Sequence, residues 1–61
     1  MKVSLLPANE VLPGDLLETP GSQVWVPVIA IERQYGRLYF LMGAVSRTAL
    51  VGDYVMVGRT E

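Results

Sequence analysis

The 61-residue chain contains no cysteine and no histidine. Disulfide staples, thiol chemistry, Ser-His-Asp triads and ordinary zinc sites are therefore excluded at the outset. A cysteine-free chain is also at home in a reducing compartment, which sets the expectation of a cytoplasmic protein. Charge is scarce as well. Five basic residues stand against six acidic ones, for a formal charge of -1. No global field of one sign draws in nucleic acid or an anionic membrane, so either partner would need a local patch. The apolar runs are short: Val24 to Ile31 and Leu38 to Val45 fall well below the about 20 residues of a membrane helix. The apolar stretch after Lys2 is cut by Pro7, too early for the core of an export signal, so export is not expected.

What the chain has in quantity is apolar side chains, 51% of all positions, which excludes a disordered polymer. One domain covering residues 1–61 is the natural reading at this length. So small a domain buries only about 60% of its unfolded surface, and this much apolar material exceeds what one small interior hides. Self-association follows as an expectation.

Pro7, Pro13-Gly14, Pro20-Gly21, Gly36, Gly43, Gly52 and Gly58 cut the chain into pieces too short for a helix of regular period. Between the cuts lie β-branched and aromatic residues. They predict strands near Leu16–Thr19, Gln23–Glu32, Arg37–Met42, Arg47–Leu50 and Tyr54–Arg59, with a further strand at Val3–Leu6 or at Glu10–Leu12. The fold class is all-β: a small five- or six-stranded barrel or a rolled antiparallel sheet.

Two segments repeat one device, Gly14-Asp15-Leu16-Leu17 and Gly52-Asp53-Tyr54-Val55. A Gly able to take a positive φ precedes an Asp whose carboxylate can accept backbone N–H bonds, and a strand follows. In this the chain resembles the SH3-like small barrels, whose strands often open with Gly-Asp and then alternate inward apolar residues. The resemblance implies a barrel-like fold over most of the length and carries no activity with it. In its brevity the chain also looks like small accessory proteins of bacteriophage and mobile-element genomes.

The central hairpin organises the candidate surface. A loop of Tyr35-Gly36, or of Arg33 to Gly36, sets odd positions before it beside even positions after it. Ile29 and Ile31 then share the core side with Leu38, Phe40 and Met42, and Leu17, Val55 and Val57 join them. The opposite side collects Val28, Ala30, Glu32, Arg37, Tyr39 and Leu41, too apolar for an idle solvent face. Pro27 marks an edge or a bulge. With a bulge, Val24 and Val26 turn inward and Trp25 outward; without one, Trp25 is core.

Glu10, Asp15 and Glu18 sit in turns or at strand ends, and nothing nearby would raise a carboxyl pKa as acid catalysis requires. No catalytic, cofactor or metal residue is expected, and the chain reads as a non-enzymatic module that binds another protein or itself. The partner-binding residues are Val28, Ala30, Arg33, Tyr35, Arg37, Tyr39 and Leu41. The alternative is a nucleic-acid-binding barrel using Arg33, Tyr35, Arg37 and Tyr39, with Arg47 or Arg59, whose guanidiniums and phenols could stack on bases or clasp phosphate.

Overall fold

The computed structural model describes residues 1–60. They form seven strands and a single 3-10 turn, Ala8–Glu10: β1 (Lys2–Pro7), β2 (Leu16–Glu18), β3 (Trp25–Pro27), β4 (Ala30–Gln34), β5 (Arg37–Met42), β6 (Val45–Leu50) and β7 (Tyr54–Arg59). The all-β reading holds. The strands make two antiparallel sheets, one in the order β1-β7-β2-β3 and one in the order β4-β5-β6, which do not close into a barrel. Both β5 and β7 occupy the segments their residue types predict, and the N-terminal strand lies over Val3–Leu6 rather than Glu10–Leu12. Among the described residues no helix is long and apolar enough to cross a membrane.

The sheets face each other across one core. Alternation along β5 turns Leu38, Phe40 and Met42 inward, and alternation along β7 does the same for Val55 and Val57. Leu17 of β2, Ala8, Val11 and Val28 complete the same buried cluster. Leu6, Val26, Ile31, Ala49 and Val51 pack on the margin, half-buried.

The apolar run from Val24 to Ile31 is split between the two sheets. The N–H of Val28 donates to the carbonyl of Asp15 (2.8 Å) and its own carbonyl accepts from Gly14 (2.8 Å), which ties Val28 to the first sheet. The next N–H, of Ile29, donates to the carbonyl of Leu41 (2.8 Å) in the second sheet. Leu41 is also the register partner of Ala30. Two consecutive residues thus stand opposite one, as in a β-bulge, and the in-out alternation is reset. The consequence corrects two expectations. Val28, expected on the outer face, is 2% exposed, whereas Ile29, expected in the core, is 66% exposed. Trp25 stands opposite Glu18, on the face away from the buried Leu17, and is half-buried. Pro27 occupies the edge strand β3, where its missing N–H costs no ladder bond.

The hairpin between β4 and β5 closes on Gln34 opposite Arg37, which leaves Tyr35 and Gly36 as a two-residue loop. Both take positive φ, +51° and +73°, the signature of a type I′ turn. Gly36 adopts this freely, but Tyr35 does so against its Cβ. Its ring is 95% exposed and gains little in return. Tyr35→Asn is therefore expected to stabilise the domain by about 0.5–1 kcal/mol, read as a higher urea midpoint with unchanged slope. A lower midpoint would mean that the phenol makes a contact worth more than the strain.

Candidate interaction surface

The two Gly-Asp turns share their hydrogen bonds. In the first, Leu12 N–H donates to Asp15 Oδ2 (2.9 Å) while Asp15 N–H donates to Leu12 carbonyl oxygen (3.0 Å). In the second, Leu50 N–H donates to Asp53 Oδ2 (3.2 Å) and Asp53 N–H to Leu50 carbonyl oxygen (3.0 Å). Each carboxylate folds its own turn and launches β2 or β7. Gly14 takes a φ of +96°, whereas Gly52 does not enter the positive region, so the turns differ in backbone conformation.

Asp15 carries a second duty. It is buried, and Arg59 at the end of β7 forks onto it, Nε to Oδ1 at 2.9 Å and Nη2 to Oδ2 at 3.0 Å. The same Nη2 donates to the Glu10 carbonyl (3.2 Å). These bonds clamp the first turn, the start of β2 and the end of β7 together. The Arg59 hydrogen bond, aided by the Leu12 N–H, lowers the Asp15 pKa against the opposing effect of burial. This pairing was not legible in the sequence, since 44 residues separate the partners.

The expected hairpin surface is assembled only in part. On the outer side of the second sheet Ala30 stands opposite Leu41 and Glu32 opposite Tyr39, and Ala30, Tyr39 and Leu41 are half-buried. Arg37, exposed, stands opposite Gln34 and Leu50. Arg33 pairs with Leu38 and so lies on the other side of the hairpin, near its tip, while Tyr35 projects from the turn. Val28 is inside. The two guanidiniums and two phenols grouped by sequence spacing are thus spread over two faces and a turn. Of the remaining cations, Arg59 is bound to Asp15 and Arg47 Nη1 donates to the Glu18 carbonyl (3.3 Å).

A larger apolar face lies elsewhere. Register pairs Val3 with Gly58, Leu5 with Met56 and Pro7 with Tyr54. These positions alternate with the inward Leu6, Val55 and Val57, so they line the outer face of β1 and β7. Met1, Val3, Leu5, Tyr54 and Met56 are all exposed, Leu5 at 60% and Tyr54 at 64%. The Met1 side chain lies over Gly58, in the place a Cβ would need. Lys2 and Arg59 pair with each other on the opposite parity, so among the described residues no charged side chain of β1 or β7 points to this face. Sequence reasoning missed it because the two strands are more than forty residues apart and only pairing joins them. The exposed apolar residues at alternate positions 1, 3 and 5, and again at 54 and 56, were the available signal.

Beside the face, β2 meets β7 only at Leu16 opposite Gly58. Past that pair the strands diverge and leave an open groove of about 480 Å³, bordered by Leu5, Tyr54 and Met56 on one side, by Glu18 and Thr19 on the other, and by Arg47. No family model, no curated protein and no solved structure matches the chain. The β1–β7 face and its groove therefore stand on their own chemistry.

Proposed function

We propose that the chain is a non-enzymatic protein-interaction module whose contact surface is the outer face of β1 and β7. One observation carries this reading: five large apolar side chains, Met1 just before β1 with Val3, Leu5, Tyr54 and Met56 from β1 and β7, are left to solvent side by side. Contiguous apolar surface of this kind mainly marks places where another surface docks, and aromatic and Met side chains are enriched there. The hairpin face first suggested by Ala30, Tyr39 and Leu41 has less apolar area to offer, being half-buried and interrupted by Glu32 and Arg37. A nucleic-acid role has less support, because Arg47 and Arg59 are engaged internally and Arg33 and Arg37 lie on opposite sides of the hairpin.

Panning a displayed peptide library over the immobilised chain tests the reading. Selected peptides are expected to bind the Leu5→Thr/Met56→Thr variant about tenfold or more weakly, because large anchors dominate interface energies. They should bind Tyr39→Ser/Leu41→Ser within about twofold of the parent. Raising salt should change the affinity little, whereas a nucleic-acid site would lose it steeply. Loss confined to the Tyr39/Leu41 variant would return the contact to the hairpin and overturn the proposal.

A further inference from the structure

We infer that the occupant of the β1–β7 face is a second copy of this chain, docked face to face about a two-fold axis. The inference rests on the proposed interaction surface and names its partner. Three observations lead to it.

The first is area. An aromatic side chain presents about 150–250 Å² and an aliphatic one somewhat less, so the exposures of Met1, Val3, Leu5, Tyr54 and Met56 leave roughly 400 Å² of apolar surface on this face. Two such faces in full contact bury at most about 800 Å², the size of a weak, transient association. The second is charge. A two-fold contact sets a patch against itself, so a charge near the axis meets its own copy. Among the described residues this face carries none from β1 or β7, since Lys2 and Arg59 occupy the other parity, and the two charges that border it in the groove, Glu18 and Arg47, are of opposite sign. The third is shape. The face is built from two paired six-residue strands, with Gly58 at one end offering no side chain of its own, and extended sheet faces of this kind stack about 10 Å apart in sandwiches.

The edge of β1 offers a rival geometry, because β1 is the outermost strand of its sheet and carries one charge, Lys2. Two copies joined edge to edge by an axis normal to the sheet would keep their outer faces on one side. The apolar patch would then double and remain wet. Face-to-face docking removes it from water, and the hydrophobic term selects that arrangement.

Sedimentation equilibrium on the full chain reads the result. The parent should shift from monomer mass near 1 μM to twice that mass by about 500 μM, as suits an interface at the small end of the range. Leu5→Thr/Met56→Thr, which keeps β-propensity at both positions, should stay monomeric throughout with an unchanged circular dichroism spectrum. Ile29→Thr, which removes an equally exposed apolar side chain outside the face, should dimerise like the parent. A parent that remains monomeric at 500 μM overturns the inference, as does a double variant that still dimerises. The two readings fail separately. A monomeric parent whose selected peptides still depend on Leu5 and Met56 rejects the second copy and keeps the binding face. Peptides indifferent to both residues reject the binding face whatever the mass.

Discussion

Phe40→Ala is expected to leave the domain largely unfolded at room temperature. Phe40 is 1% exposed and sits at the middle of β5, the central strand of its sheet, between Ile31 on one side and Arg47 on the other. Its ring shares the inner face with Leu38 and Met42 and is the largest fully buried side chain of the domain. Removing it forfeits the transfer energy of the ring and opens a cavity that a rigid sheet cannot collapse around, a cost of about 3–5 kcal/mol. A single core in a domain this small rarely supplies more than about 3–5 kcal/mol of net stability. The cost thus matches the whole margin. Urea titration followed by circular dichroism checks it, with a parent transition and no cooperative transition in the variant. A variant that unfolds cooperatively with less than about 1.5 kcal/mol lost would show that the core sits elsewhere.

Asp15 gives the second large effect. Asp15→Ala removes the acceptor for Leu12 N–H and the partner of Arg59 at one stroke, at an expected cost of about 1–2 kcal/mol, most of it from the turn and the lost clamp, since the half-exposed Arg59 guanidinium returns to water. Asp53→Ala, in the second turn of the same sequence form, removes only the Leu50 N–H bond at the exposed end of the domain and should cost about 0.5–1 kcal/mol. The contrast isolates the Arg59 clamp from the turn itself. The pair also makes a pH prediction. The folded-state pKa of Asp15 is lowered by Arg59, so the unfolded chain binds a proton more readily there. The stability contributed is fully present above the ordinary carboxylate pKa of about 3.9 and is lost as pH falls through the lower folded-state value. Asp15→Asn, which keeps an amide oxygen for Leu12 but no charge for Arg59, should lose less stability than the parent on acidification below pH 4. An unchanged acid limb in the variant would show that other carboxylates carry the whole pH dependence.

Much of the framework was legible because it depends on local chemistry. Aromatic and aliphatic residues between Gly36 and Gly43 define β5, alternating valines after Gly52 define β7, and Asp15 and Asp53 fold the turns that their residue types suggest. Parity across the Tyr35-Gly36 turn places Ile31 beside Phe40 and sets Tyr39 opposite Glu32 on the other face. The reasoning fails at Val28 and Ile29, where the chain passes from one sheet to the other. A bulge there is a matter of which carbonyl each N–H can reach, Asp15 for Val28 and Leu41 for Ile29, and neither acceptor is near in sequence. One inserted residue moves every preceding side chain to the opposite face. That is why Val28 left the candidate surface and Ile29 left the core. The β1–β7 face was hidden for a related reason, since antiparallel pairing of the two ends of the chain depends on the core that forms between them. The Arg59–Asp15 clamp is likewise a product of that pairing: β7 has to lie beside both β1 and β2 before its last residue reaches the first turn.

The claim that the β1–β7 face is the contact surface is tested most directly by residue-resolved NMR as the chain is concentrated from about 10 to 500 μM, a range that spans weak association. The account predicts concentration-dependent shifts at Val3, Leu5, Tyr54 and Met56, with Arg37, Tyr39 and Leu41 still. Shifts confined to Arg37, Tyr39 and Leu41, with β1 and β7 unmoved, would contradict it.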